Sequence, residues 1–250
     1  MSLRVSEMFY SLQGEGPTTG VPAVFLRLGG CNLLCGGMGT IQDKELHDGA
    51  TWRCDTIEVW SQARKLSKED LYQEFLDRKF LTYLTSGAHL VITGGEPLQQ
   101  QEEILEFLNY YKKLGLPLPY IEIETNGTIA PCTELFDFVD QFNISPKLSN
   151  SGMPEERRLV PMVIRQLIVH RNSFFKFVVS SIEDVREAER DFILAHPFSI
   201  RRSQIVLMPG ADNRAKLQEL EQQIAAIAIE RGYRYSSRLH IQIWDKKTGV

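Results

Sequence analysis

The chain has 250 residues, with 28 Lys plus Arg against 32 Asp plus Glu (formal charge −4) and 43% hydrophobic residues. That length fits one domain with enough interior to form a core without staples, and the acidic balance excludes a dedicated nucleic-acid binder, which carries a net basic surface. Four cysteines are too few for a secreted disulfide scaffold. The first residues, MSLRVSEMFYSLQGEG, lack the basic end and apolar run of a signal peptide, and no stretch approaches the roughly 18 apolar residues of a membrane helix. The expectation is a soluble cytoplasmic chain, with no membrane or nucleic-acid partner, whose thiols stay reduced and free to bind metal.

In chain order, the first clear element is the apolar run Ala23–Leu28. It is followed by a glycine-rich polar stretch at 36–53, which reads as a surface loop. Ser67-Lys68-Glu69-Asp70 has the form of a capping box before Leu71, Phe75 and Leu76. His89–Thr93 is the next apolar run. Gln101–Leu114 repeats apolar residues at helical spacing (Ile104, Leu105, Leu108) and stops at Gly115. Tyr120–Glu124, Phe142–Ser145 and Phe174–Val179 are again short apolar runs. Ser181-x-x-Asp184 opens a helix, Gln204–Met208 reads as a strand, and Asp212–Gly232 reads as the longest helix, carrying Leu217, Leu220, Ile224 and Ile227. Arg238–Ile243 closes the series as a seventh strand. Short, nearly continuous apolar runs fit parallel strands buried on both faces, and strands alternating with helices imply right-handed βα units.

A complete eight-unit barrel needs around 250 residues, but here the first 20 residues and residues 36–60 fall outside the βα pattern. The expected fold class is therefore α/β, an incomplete TIM-like barrel or open α/β sheet. It forms a single domain over 1–250, with a loop insertion at about 36–53.

Three of the four cysteines, Cys31, Cys35 and Cys54, follow the strand AVFLRL and Gly29-Gly30. The end of a parallel strand is where α/β folds place chemistry, and a polar loop can return Cys54 beside the other two. Three thiolates without a fourth fit an iron–sulfur cluster with one open iron. His47 lies between Cys35 and Cys54, so a Cys₃His zinc site is the competing reading, and three buried free thiols is the third. Cys132 stands alone and reads as a packed or idle thiol.

Thr93-Gly94-Gly95-Glu96-Pro97 directly follows a strand. Paired glycines let the backbone approach a ligand closely, and Glu96 adds an acceptor for a cationic amino group. Read alone, this is first an ordinary strand-ending turn. Glu124-Thr125-Asn126-Gly127 and Ser145-Pro146-Lys147 end two further strands, and three successive polar tips resemble a ligand mouth.

Together these motifs resemble the radical S-adenosylmethionine (SAM) superfamily and, within it, the 7-carboxy-7-deazaguanine synthase family. The resembling residues are Ser11-Leu12-Gln13-Gly14-Glu15-Gly16, Gly20-Val21-Pro22-Ala23, Phe25-Leu26-Arg27-Leu28, Gly30-Cys31-Asn32-Leu33, Cys54-Asp55-Thr56, the Gly-Gly-Glu-Pro turn, the two polar tips, Lys176-Phe177-Val178-Val179 and Arg238-Leu239-His240-Ile241-Gln242-Ile243-Trp244. They run in order through nearly the whole chain. The departure is the spacing: the superfamily's C-x₃-C-x₂-C is here C-x₃-C-x₁₈-C, with Cys35 as the available middle ligand.

The resemblance implies a 4Fe–4S cluster on Cys31, Cys35 and Cys54, SAM against Gly95, Glu96, Ser145, Pro146 and Lys147, and Mg²⁺ on Thr56. It implies a pterin substrate met by Leu12, Gln13, Gly14, Arg27, Thr93 and the terminal carboxylate of Val250. The implied reaction is radical conversion of 6-carboxy-5,6,7,8-tetrahydropterin to 7-carboxy-7-deazaguanine with loss of ammonia. It further implies an electron donor such as flavodoxin or ferredoxin, and a homodimer. A glycyl-radical activase would share the cysteines and the glycine turn. A zinc-stabilised binding module is the non-enzymatic alternative.

Overall fold

The computed structural model describes residues 2–196, 200–247 and 249. Nine strands are β1 (Ser2–Leu12), β2 (Pro22–Leu28), β3 (Arg64–Ser67), β4 (His89–Gly94), β5 (Ile121–Thr125), β6 (Gln141–Ile144), β7 (Ser173–Val179), β8 (Ile205–Pro209) and β9 (Arg234–Tyr235). They form one sheet in the order β3-β1-β2-β4-β5-β6-β7-β8-β9. From β2 to β9 every neighbour is parallel, while β1 is antiparallel to both β2 and β3. β3 and β9 stay unpaired with each other, so the barrel is open. No described helix is long and apolar enough to cross a membrane.

Local chemistry sets the helices. Ser67 and Asp70 form a reciprocal capping box at the start of Lys68–Asp77, and Ser181 and Asp184 do the same for Ile182–Ala188. Arg214–Arg231 is capped by the Asn213 side chain and stops at Gly232, whose φ of 67° lies in the left-handed region that favours glycine. The helices cover the outer sheet face. Leu90, Ile92, Ile121, Ile123, Phe142, Ile144, Phe175, Phe177 and Leu207 join Phe107, Leu167, Val185 and Ile224 in one core.

The inner face differs from the expectation of strands apolar on both sides. Glu122 and Glu124 of β5, Gln141 and Asn143 of β6, and Lys176 of β7 alternate with those core residues. The turn after β1 is folded against them and supplies their partners. Gln13 and Val21 close it backbone to backbone at 2.8 Å. Gln13 Nε2 donates to Glu124 at 3.1 Å, Thr18 Oγ1 to Glu122 at 2.9 Å, and Lys176 Nζ pairs with Glu15. The fully buried Glu122 also accepts from Asn143 and Gln141 and lies 2.6 Å from His89 Nδ1. A buried carboxylate requires such a shell, because burial removes its water.

Two further expectations are corrected. Arg238–Ile243 is not a strand: Leu239–Trp244 is a helix, and the last, two-residue strand is β9. Leu239, Ile241 and Ile243 alternate with polar residues, the period of a strand, and tertiary contacts override that local pattern. Residues 2–12, within the first 20 residues set outside the βα pattern, form β1, and residues 64–67, not among the expected strands, form β3. Their mixed burial marks antiparallel strands with a wet side.

Candidate active site

A cavity of roughly 810 Å³ opens at the carboxyl ends of the parallel strands. It is walled by Cys31, Cys35 and Cys54, by Thr56, and by the tips of β4, β5 and β6. The turn after β2 is fixed from three sides. Gly29 N donates to Arg4 O at 2.8 Å, Gly30 N to Trp60 O at 3.0 Å, and Glu96 N to Gly30 O at 2.9 Å. Cys54 N donates to Cys35 O at 3.1 Å, which returns the third cysteine to the first two. The three thiols share a small apolar cluster with Leu33, Leu34, Trp52 and Met153, whereas Cys132 packs at the edge of the main core.

Burial pushes the Cys31 thiol up to about 11 and the Cys35 thiol up to about 12, with Glu96 and Cys54 adding to the first and Cys54 and Cys31 to the second. Free thiols of this kind are inert, whereas a bound metal deprotonates them outright. Among the described residues no group of three or more His, Cys, Asp or Glu is compact enough to hold a single metal ion. His47 Nε2 lies 2.8 Å from Asp43 Oδ2, and His47 is not in the cavity wall with the three cysteines. Structural zinc needs four ligands in one tetrahedral shell. A cluster spreads its ligands over separate irons, so three thiols around one apolar pocket fit it better.

The 36–53 segment is exposed over most of 41–49 and makes one helical turn, Thr40–Asp43. Gly36, His47 and Thr51 tie its backbone down, through Ser151 O, Gly36 O and Asn150 O. Its inner edge reaches the cavity through Lys44, Glu45, Leu46 and Trp52. The Trp52 indole donates to Asn150 Oδ1 at 3.0 Å, and Lys147 Nζ stands 5.7 Å above its ring.

Of the residues singled out in the sequence, Leu12, Gln13, Gly14, Arg27, the three cysteines, Thr56, Thr93, Gly95, Ser145 and Lys147 all line this one cavity. Glu7 Oε1 accepts from Arg27 Nε at 2.7 Å and holds the guanidinium at the wall. Lys147 Nζ donates to Ser145 Oγ at 2.9 Å. Thr56 precedes the helical turn Ile57–Trp60 but makes no side-chain cap there. Its hydroxyl instead lies 3.4 Å from Cys54 Sγ.

Glu96 and Pro146 are buried and do not line the cavity. The Glu96 carboxylate accepts from Leu98 N, the Thr125 hydroxyl and Asn126 N at 2.7–3.0 Å. It therefore braces the β4 and β5 tips from behind. Burial pushes it up to about 7 against those hydrogen bonds. Val250 lies outside the described residues; Gly249 is at the cavity wall.

Several wall residues carried no role in the sequence reading. Glu124 accepts from Gln13 Nε2 and, at 2.7 Å, from Thr93 Oγ1, which places a carboxylate between two predicted substrate residues. Asn126 Nδ2 donates to Asn32 Oδ1 at 2.9 Å beside Cys31. Glu15, Lys176, Arg238 and His240 also face the cavity. The available signal was the polar–apolar alternation Ile121-Glu122-Ile123-Glu124, which a both-faces-buried reading of the strand hides.

No protein-family model matches the chain. It is 35% identical over 249 residues to the 7-carboxy-7-deazaguanine synthase of Pyrobaculum aerophilum, covering 99% of this chain and 97% of that one. It is 31% identical to the synthase of the same name from Halobacterium salinarum, over 98% and 91% of the two chains. The crystal structure of QueE from Escherichia coli matches with a TM-score of 0.64 at 25% identity, over 96% of this chain and 95% of that one.

Proposed function

The chain belongs to the 7-carboxy-7-deazaguanine synthase family of radical SAM lyases, and we propose that it converts 6-carboxy-5,6,7,8-tetrahydropterin to 7-carboxy-7-deazaguanine with loss of ammonia in deazapurine biosynthesis. The observation that carries this reading is the convergence, in one cavity, of three neighbouring thiols, a close-approach glycine tip, and Arg27 and Glu124, each anchored by its own partners.

Cys31, Cys35 and Cys54 would hold a 4Fe–4S cluster with one open iron. When bound, the cluster and SAM supply the radical that takes a hydrogen from the substrate. The chain's own residues bind and orient. Gly95 lets the β4 tip approach SAM closely, Ser145 and Lys147 supply polar groups to it, and Pro146 sets their turn from behind. Arg27 suits the substrate carboxylate. Glu124, held by Gln13 and Thr93, accepts N–H donors of the pterin edge. Leu12 and Gly14 add main-chain contacts. Thr56 offers Mg²⁺ a neutral oxygen, with water and substrate completing the shell; its freedom from capping supports this. Electrons come from an external donor such as flavodoxin or ferredoxin, and the enzyme works as a cytoplasmic homodimer.

The test is anaerobic turnover of the carboxytetrahydropterin with SAM and reductant, following product by its absorbance. Product should form. Ala at Cys31, Cys35 or Cys54 should abolish it together with cluster iron, while Cys132→Ala keeps both. Cluster loss in Cys132→Ala with retention in Cys35→Ala would overturn the ligand assignment.

A further inference from the structure

Four segments far apart in sequence meet in one ionic knot at the cavity wall, and Arg238 is its centre. Arg238 Nε donates to Glu15 Oε1 at 2.9 Å, Nη2 reaches Asp55 Oδ2 at 2.7 Å, and Nη1 donates to Ala211 O. Lys176 Nζ pairs with the same Glu15. The Arg238 side chain is 13% exposed and that of Glu15 15%, while that of Asp55 is 41% exposed. Burial works against the Glu15 charge, but Lys176, Arg238 and His240 hold its carboxyl well below the usual range.

The position of each partner gives the knot its meaning. Asp55 lies between Cys54 and Thr56. Glu15 directly follows Gln13 and Gly14 in the turn that anchors Glu124. One planar guanidinium therefore spans the metal loop and the substrate-facing turn, and its fork fixes direction as well as distance. The two ends are unequally secured. The turn is also held by Lys176, by Leu239 N donating to Gly14 O at 2.9 Å, and by His240 packed on Gly14, where an added Cβ would fall 2.3 Å from Nδ1. Among the described residues the salt bridge of Asp55 is to Arg238.

We infer that Arg238 is a positioning residue that sets the metal loop Cys54–Thr56 against the substrate-facing turn Gln13–Glu15. This rests on the proposed roles of Thr56 and Gln13. Removing the guanidinium loosens the Asp55–Thr56 end of the loop, while Cys54 N stays bonded to Cys35 O and the turn stays in place, so the loss falls on metal-assisted substrate binding.

The experiment uses cluster-loaded protein without reductant, so that no turnover occurs. Carboxytetrahydropterin is titrated calorimetrically across Mg²⁺ concentrations for wild type, Arg238→Met, Arg238→Lys, Asp55→Asn, the Met/Asn double variant and Thr56→Ala. Backbone amide exchange is followed in the first five. The half-saturating Mg²⁺ should rise about tenfold in Arg238→Met and in Asp55→Asn, the scale of a lost charge-assisted bond that is partly exposed. The double variant should match the single ones, because both act through one contact, and Arg238→Lys should recover part. Exchange at 54–60 should quicken about tenfold in Arg238→Met while that at 13–21 stays put, with cluster iron and SAM affinity unchanged.

Unchanged exchange at 54–60, or multiplicative effects in the double variant, overturns the inference. If Arg238→Met does not fold, Asp55→Asn carries both readouts. Retention of the Mg²⁺ response in Thr56→Ala removes Thr56 from the metal site, and the exchange result then decides the role of Arg238 by itself.

Discussion

Gly95→Ala separates two reasons for a glycine at the β4 tip. Gly95 does not adopt a left-handed backbone conformation, so alanine brings no strain of φ, only a methyl group. That methyl would stand 2.1 Å from Gly30 O, 2.4 Å from Gly30 C and 2.8 Å from Cys31 Cβ. Contacts under 3.0 Å are essentially never seen for a real Cβ, so the two strand tips must part by at least 3.0 − 2.1 = 0.9 Å. Gly30 cannot yield freely, since its N–H is bonded to Trp60 O at 3.0 Å and its carbonyl accepts from Glu96 N at 2.9 Å. The displacement passes directly to Cys31. Overpacking of this kind costs about 1–3 kcal/mol. For a chain of this size that lowers Tm by roughly 2–12 °C, at about 2–4 °C per kcal/mol. A thiol moved by about 1 Å should cost cluster occupancy and on the order of 10²-fold in turnover. Thermal melts of the apoprotein and iron counts after anaerobic reconstitution measure the two effects separately. Unchanged Tm and full iron, with only SAM affinity lost, would refute the steric argument and leave ligand approach as the whole reason for the glycine.

Two further outcomes test the wall. Thr56→Ala should keep cluster iron and SAM binding yet lose turnover and its response to added Mg²⁺, while Thr56→Ser retains part of both; turnover against Mg²⁺ concentration reads this directly, and an unaltered response in Thr56→Ala would exclude the hydroxyl as ligand. The folded state holds the Glu15 carboxyl well below its usual value, so its contribution to stability is present above the unfolded carboxylate value of about 4.3 and is lost as pH falls through the folded one. The Tm gap between wild type and Glu15→Gln should therefore be widest near neutral pH and shrink in acid, and melts showing a constant gap from about pH 7 to about pH 3 would contradict that direction.

Local chemistry determined by itself what local chemistry can. The runs that became β2 and β4–β8 declared themselves because the face a parallel strand turns to its covering helices must be apolar. The capping residues Ser67, Ser181 and the stop at Gly232 fixed helix ends from a few consecutive side chains. The three cysteines and the glycine tip were legible because strand ends converge in any βα array. Tertiary structure alone decided the rest. Whether Leu239–Trp244 is helix or strand depends on Gly14 and Glu15, more than 220 positions away, which bind Leu239 and Arg238. The inward charges of β5 and β7 look like exposed positions until the turn after β1 fills the barrel and pairs them. The bonds of the Glu96 carboxylate to Leu98, Thr125 and Asn126 behind the wall are likewise made only in the folded chain. Apolar period and capping act within one element and are written in adjacent residues. Charge pairing acts through space, and its partners are set only when the chain has folded.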